Sequence, residues 1–537
     1  MQLLDTELAT SLLTEVVGED NILLEKRAFA DYEENVTGLD KTVAGVLKPA
    51  TKEEVTAIVR IAADHGIALY PISKGLNWGL GSRLPVRDNC FILDLGRLNR
   101  IIEVNEEQQC IVLEPGVTQG QLHEYLTCRN LPLTFNVTGS GVNTSVLGNA
   151  LDRGVGYRSV RAEDVLGLEV ITGKGEQIRT GYGHYEGAAS AGLCPYGIGP
   201  DLNGLFFQSA LGIVTSATLR LFPIKEKHMA VLCTLTDETK LDLFLDEVAW
   251  LRKQEVLTSV VHVGNKARTK VTVMPLLEEV LTGQTDIPEE SIRKEAEALY
   301  ESEMRSAWTA LATLDGTREQ VEAAVKVIKR KMAGFGRMTV VDQETIAKRK
   351  RMVNRLKFIP SIRRKGYLLK ALEPLLGLPL GLPSDVAIKG VYWAICENQP
   401  TGAMQPDSGR AGLKFILPTA PLSGRHGSAV AALTEEVFES YGFTAYVTLN
   451  TITSRSFGCV INLSFDREKR DESVRAQQCA DELLTRLIAR GYYPYRVNVG
   501  QMDTVVNEND TFWQVVDGLK KVTDPAGIVS PGKYSLS

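Results

Sequence analysis

Three glycine-rich runs hold the residues whose types and spacing could do chemistry. The longest, TGSGVNTSVLGNALDRGVGY from Thr138 to Tyr157, carries five glycines, two asparagines and four Ser/Thr hydroxyls. Glycine lets a backbone approach a ligand closely and adopt positive φ. Successive exposed amides in such a run can cradle phosphate or another anionic edge. A second run, PISKGLNWGLGS from Pro71 to Ser82, follows the apolar IALY; a third, CIVLEPGVTQGQL from Cys110 to Leu122, reads as strand, Pro-Gly turn and helix start. Any one of them alone is as readily a surface turn. Three turns at the exits of apolar strands point to one extended ligand threaded past several strand ends. A nest of this kind needs neither a lysine nor a metal, and it is not the GxGxxG fingerprint of a Rossmann fold.

Length and composition bound the reading. A chain of 537 residues implies two or more domains. Its 44% hydrophobic and 23% charged residues are ordinary for a globular protein, and its net charge of -6 gives no footprint for nucleic acid. The eight cysteines form no C-x-x-C pair, and the six histidines fall at no i, i+3 or i+4 spacing, so no metal site is expected. Scattered cysteines suit a reducing compartment. The start, MQLLDTELATSLLTEVV, has acids where a signal peptide needs bases and reads as an amphipathic helix. No apolar run reaches the roughly 18 residues needed to span a bilayer. The default is a cytoplasmic protein.

The elements that must position the loops follow from periodicity. Thr51 and Glu54 form a capping box for a helix over 52–65, with Val55, Ile58, Val59 and Ala62 on its apolar face. Thr118 and Gln121 form a second box for a helix through Tyr125. Strands are expected at 91–95, 110–113, 164–172 and 177–180, and a strand pair at 211–221. From about residue 224 the texture changes to short strands (229–236, 256–263, 308–313, 445–452, 459–465) alternating with helices (a capping box at Thr317 and Gln320, then 428–441 and 472–490), an α+β pattern with an antiparallel sheet. Lys348 to Lys365 is the one strong local charge feature, with nine basic residues in 18. It is expected to be exposed and to face a partner.

The three loops, together with YGIGPDLNGLFFQSALGIVTSATLRLFP (Tyr196 to Pro223), YPYRVNVGQMD (Tyr493 to Asp503) and DPAGIVSPGK (Asp524 to Lys533), resemble the vanillyl-alcohol oxidase and p-cresol methylhydroxylase family of flavoproteins. The likeness covers most of the chain and is weakest between about 225 and 385. It implies an α+β fold: a two-subdomain FAD-binding domain of the p-cresol methylhydroxylase type over 1–223, an inserted α+β cap domain on an antiparallel sheet over 224–484, and a C-terminal segment, 485–537, that returns to the FAD-binding domain. It also implies one FAD, held through 71–82, 115–117 and 139–157. The expected cofactor contacts are Ser73, Lys74, Gly75, Leu76, Asn77, Gly79, Leu80, Pro115, Gly116, Ser140, Ser145, Gly148, Asn149, Arg153, Gly154, Ile213, Arg496 and Lys533.

On the substrate side the resemblance picks out Tyr157, Tyr495 and Arg496. Two phenol hydroxyls and a guanidinium converging on one oxygen would stabilise a phenolate. The ring could then release a hydride from a para-benzylic carbon to flavin N5. Two positions depart from the family. Leu80 stands where vanillyl-alcohol oxidase has a third phenolate-binding tyrosine, and Ser140 stands where it has a catalytic aspartate. The histidine that bonds the flavin covalently there is Leu413 here, and the nearest tyrosine to the p-cresol enzyme's attachment point is Tyr392. FAD held without a covalent bond is therefore expected. So are a small-molecule substrate, oxygen or an electron-transfer protein as acceptor, and a homodimer. The alternatives are the same fold acting on a non-phenolic natural product or alcohol, and a degenerate, non-catalytic flavoprotein subunit.

Overall fold

The computed structural model describes residues 2–284, 287–400 and 402–537, and side chains from residue 7 onward. Among the described residues, three large sheets and a two-stranded ribbon, Leu133–Thr134 with Phe222–Pro223, carry the chain. The first has the order Ile22–Leu23, Val43–Leu47, Cys90–Asp94, Leu69–Ile72. Val43–Leu47 and Leu69–Ile72 both run parallel to Cys90–Asp94. Parallel neighbours need a crossover, and the helix Lys52–His65 supplies one, with Val55, Ile58, Val59 and Ala62 buried as its periodicity requires. Thr51 accepts the Glu54 amide, but the Glu54 carboxylate accepts from Ala50 N at 2.7 Å rather than reaching back to Thr51. Thr118 likewise caps through Gln121 N, while the Gln121 side chain turns to Asn99 O. Only Thr317 and Gln320 make the fully reciprocal box.

The second sheet is antiparallel, in the order Ile101–Asn105, Cys110–Leu113, Ile213–Arg220, Val165–Ile171, Gln177–Arg179. The strand pair expected over 211–221 is one continuous strand, Ile213–Arg220: Val165–Ile171 pairs with it from Ile213 to Leu219 and Cys110–Leu113 from Ala217 to Arg220, which leaves no break for a turn. The Pro71–Ser82 and Cys110–Leu122 runs leave the first sheet and the Cys110–Leu113 strand; the long run, Thr138–Tyr157, begins beyond Leu133–Thr134.

The third sheet is the cap. Its eight antiparallel strands run Met338–Val341, Lys227–Leu235, Trp308–Gly316, His262–Asn265, Tyr446–Asn450, Ser456–Asp466, Ala411–Pro421, Pro494–Arg496. Trp308, Phe244, Phe438, Phe457 and Phe465 fill the core beneath it. The strand expected over 256–263 is cut to His262–Asn265. Upstream, the Ser259 hydroxyl takes over the ladder's work, donating to Thr313 O and accepting Thr313 N.

The helix Arg470–Ala489 runs through the boundary expected at 484/485, and the next segment is still part of the cap: Leu417 faces Arg496 and Pro418 faces Pro494 at the sheet edge. Only then does the chain return. Leu69 N donates to Ile528 O and Ser530 N to Leu69 O, so the tail lies beside the strand that opens into the second glycine-rich run. Lys520 locks it there, its buried ammonium donating to Asp524, Ala210 O and Val529 O.

Residues 348–365 lie on the adjoining helices Gln343–Leu356 and Pro360–Gly377. Eight of the nine bases are exposed, Arg349 being the exception, and Phe358 is 76% exposed. Lys348, Lys350 and Arg364 pair with Glu344, Glu373 and Glu295. Among the described residues, no helix is long and apolar enough to cross a membrane.

Candidate functional site

Two cavities adjoin at the meeting of the three sheets. The first is a cleft of about 1080 Å³ walled by the second-run loop from Tyr70 to Asn77, by Ser140, Thr144, Ser145, Gly148, Asn149 and Asp152 of the long run, by Ile213 and Val214, and by Ser530 and Lys533 of the tail. Local chemistry builds each wall. Ser145 caps the short helix Val146–Leu151 through Gly148 N and donates to Pro115 O at 2.5 Å, which ties the third run to the first. Gly148 faces Ser73, and a Cβ there would stand 2.7 Å from the Ser73 hydroxyl. Lys533 lies 5.3 Å from the centre of the Tyr70 ring.

The second cavity, about 830 Å³, is a chamber under the cap. Leu76, Asn77, Ser140, Asn149 and Arg496 line both spaces and form the partition between them. Ser140 is fixed there by its hydroxyl, 2.6 Å from Thr138 Oγ1 and 2.9 Å from Thr144 Oγ1. Gln119 holds that trio, accepting Thr138 N and donating to Gly141 O and Thr144 Oγ1. Arg496 donates to Asn77 Oδ1 at 2.8 Å and to the Asp152 carboxylate. Burial is the largest single influence and works against its charge, yet Asp152, Tyr495 and Tyr534 together outweigh it and the guanidinium pKa is raised. Asn149 Oδ1 and Arg496 Nε are buried without a partner. An orphaned acceptor and donor on one partition leave two bonds for a ligand to complete.

The remaining chamber wall is Trp78, Leu80, Arg268, Val271, Ile388, Val391, Leu413, Phe415, Tyr446, Asn462 and Ser464, with Ala387 and the glycines 139 and 390. Asp407 positions its Trp78 side, accepting from Trp78 Nε1, Ser82 Oγ and Val36 N. Asp385 accepts Val142 N and so fastens the Ala387–Val391 wall to the long glycine-rich run.

The sequence-derived residues divide. Ser73, Lys74, Gly75, Leu76, Asn77, Ser140, Ser145, Gly148, Asn149, Ile213, Arg496 and Lys533 all line the cleft. Leu80 lines the chamber instead. Pro115, Gly116, Gly79 and Gly154 stand behind the walls. Pro115 receives Ser145, Gly116 donates to Leu98 O at 2.6 Å, Gly79 O accepts Phe415 N, and Gly154 N donates to Asn149 O. Arg153 is exposed at φ 52 and borders neither space. Tyr157 and Tyr495 also lie behind the walls, in separate places. Tyr157 packs on His262 at 4.5 Å, with Arg268 beyond it; burial pushes its hydroxyl up to about 12. Tyr495 neighbours Arg496 and Cys459, and burial pushes it to about 12 as well. Arg268 and Tyr446 carried no local signal and are placed by tertiary contact; Trp78 and Asp152 lie inside two of the glycine-rich runs but were not singled out there.

A family model described as "FAD binding domain" matches residues 43–181. The chain is 32% identical to the 1'-carboxy-chondrochloren decarboxylase of Chondromyces crocatus, over 99% of this chain and 97% of that protein. It is 26% identical to the 4-cresol dehydrogenase [hydroxylating] flavoprotein subunit of Pseudomonas putida, over 97% and 94%. The structure of p-cresol methylhydroxylase with substrate bound superposes with a TM-score of 0.83 at 25% identity, over 99% of this chain and 97% of that one.

The chain belongs to the p-cresol methylhydroxylase-type FAD flavoproteins.

4-Ethylphenol oxidase from Gulosibacter chungangensis shares the fold, with a TM-score of 0.84 at 24% identity over 99% and 97%. As a member of this family the protein is an FAD-dependent oxidoreductase. The cleft suits that cofactor. The Ser73–Asn77 loop would hold the pyrophosphate, Ser145 to Asn149 the ribityl and ring edge, and Lys533 would stand beside them.

Proposed function

We propose that the protein removes a hydride from a small phenolic substrate held in the chamber, with FAD in the cleft. The observation that carries this is the shared partition: Ser140, Asn149 and Arg496 face the cofactor space and the substrate space at once. FAD, when bound, supplies the two-electron acceptor. Arg496 holds positive charge at the partition, backed by Tyr495, and stabilises the phenolate form of the substrate. Leu80, Leu413, Phe415, Val271 and Ile388 exclude water from the aryl ring. Ser140, tied into the Thr138–Thr144 hydroxyl chain, orients but has no acid strength to offer.

A second reading, oxidative decarboxylation, is favoured by one feature: among the described residues, no Asp, Glu or His lines the chamber. Nothing there would deprotonate a water to add to an oxidised substrate. Loss of carbon dioxide needs no base. In that reaction a hydride leaves the benzylic carbon and the neighbouring C–COO⁻ bond breaks. The bond's electron pair forms a C=C bond that restores the phenolate, and CO2 departs. The 32% identical relative is named a decarboxylase of a carboxylated compound. The electron acceptor, oxygen or an electron-transfer protein, would reoxidise the cofactor, and we take the working unit to be a cytoplasmic homodimer.

The experiment is anaerobic titration of the FAD-loaded protein with 4-alkylphenols, with and without a side-chain carboxylate, followed by admission of air. Loss of the oxidised flavin band on a phenol supports hydride removal, and one CO2 per flavin reduced selects the decarboxylating reaction. A panel that leaves the band untouched, while non-phenolic alcohols bleach it, overturns the phenol reading.

A further inference from the structure

The chamber holds two arginines of opposite standing. Arg496 has a counter-ion in Asp152. Arg268, in the first turn of the helix Lys266–Thr282 that Asn265 caps, has none: among the described residues its guanidinium makes no ion pair and no side-chain hydrogen bond. The groups that act on it are the hydroxyls of Tyr157 and Tyr446. Burial lowers its pKa, and the two phenols only partly offset this. Tyr157, with its own pKa pushed up to about 12, stays protonated and supplies no charge. Among the described residues, no Asp or Glu lines the chamber to supply it either.

An enclosed charge without a partner is costly, and buried charges are ordinarily paired, so a counter-ion from a bound ligand would complete this one. The arginine fork matches a carboxylate with two parallel N–H bonds. We infer that Arg268 is the anchor for a carboxylate on the substrate, with the Tyr446 hydroxyl, on the same wall, as a further donor. This rests on the chamber being the substrate site, as proposed above, and names the class of compound it takes: aryl acids rather than neutral alkylphenols. Arg496 at the partition and Arg268 on the cap wall then divide the work, one serving the end that reacts and the other the acid. The name of the 32% identical relative, a decarboxylase of a carboxylated compound, agrees independently.

The test is binding without turnover. The FAD-loaded protein is titrated with 4-hydroxyphenyl-acetate, -propanoate and -butanoate and with the primary amide of each. Perturbation of the flavin spectrum is followed, and calorimetry is run in parallel. At least one acid should bind roughly tenfold or more tighter than its amide, the scale of a hydrogen bond to a charged group. Arg268→Gln should erase that preference while FAD content and melting temperature hold, and Arg268→Lys should restore part of it. Equal affinity for every acid and amide in the unaltered protein overturns the inference, and that comparison needs no variant to fold. So does a preference that survives in Arg268→Gln. Failure of the phenol chemistry would show differently: acids would still be preferred in binding, yet no compound would bleach the flavin.

Discussion

Arg496 and Asp152, 344 residues apart in the chain, form an ion pair on the partition between the cleft and the chamber. One comes from the cap's edge strand and the other from the end of the helix that opens within the long glycine-rich run. Asn77, from the second run, accepts the same guanidinium. The pair therefore joins three parts of the site at one point.

Arg496→Lys should keep the charge but lose the fork that reaches Asn77 and Asp152 together. Turnover should fall about 100-fold, the lower end for losing an oxyanion-type donor, with FAD content unchanged. Asp152→Asn should instead lower stability by about 1–3 kcal/mol, less than for a fully buried pair because Arg496 and Asp152 stay 12% and 21% exposed. Stopped-flow reduction and thermal melts separate the two.

Gly75 stands at φ +66, and a Cβ there would meet Arg83 Cγ at 2.4 Å. Gly75→Val forces a β-branched residue into the left-handed region and displaces Arg83. FAD occupancy of the purified variant should fall well below one per chain while the far-ultraviolet spectrum holds. Full occupancy would show that this loop does not set cofactor binding.

FAD should be released by acid. Leu413 lines the chamber with no nucleophile, and Tyr392 is buried away from both spaces, its hydroxyl accepting Gln405 N at 3.0 Å. Among the described residues, no histidine or cysteine lines either space. Acid precipitation should leave a colourless pellet and a yellow supernatant. A flavin adduct on a peptide, found by mass, would refute this.

Burial holds the His262 imidazole down to about 4. The unfolded chain takes up that proton near 6.5, before the folded chain does, so the stability from neutral His262 is complete above pH 6.5 and is lost as pH falls toward 4. The loss reaches about 3 kcal/mol. Denaturant midpoints between pH 7 and 4 should show it, and His262→Gln should flatten the slope over that window. An unchanged slope would place the acid sensitivity elsewhere.

The walls of the cleft were legible because glycine-rich loops carry a local signal. Ser73 to Asn77 and Ser145 to Asn149 carry their chemistry in consecutive backbone, and the glycines advertise it. The tail motif was readable for a similar reason, as Asp524 accepts Ile528 N and Val529 N within its own turn. The substrate side is not local. Arg268 sits in KARTK, which reads as the exposed start of a helix, and only the closure of the cap turns it inward. Tyr157 and Tyr495 look alike in sequence, but sit in different surroundings because one leaves the long glycine-rich run and the other lies on a cap edge strand. The run Val256 to Val263 has strand composition, yet most of it is a crossing segment served by one serine hydroxyl.

The return of the tail has a consequence for timing. Ser530 and Lys533 line the cleft, and the strand bearing Leu69 is completed by Ile528 to Ser530. Those residues follow the whole cap in the sequence. The wall they complete therefore waits for a segment made after the cap, although the rest of the cleft is built from residues before that segment. A chain cut just before Ile528 would carry nearly every loop of the cleft and still lack the strap that closes it.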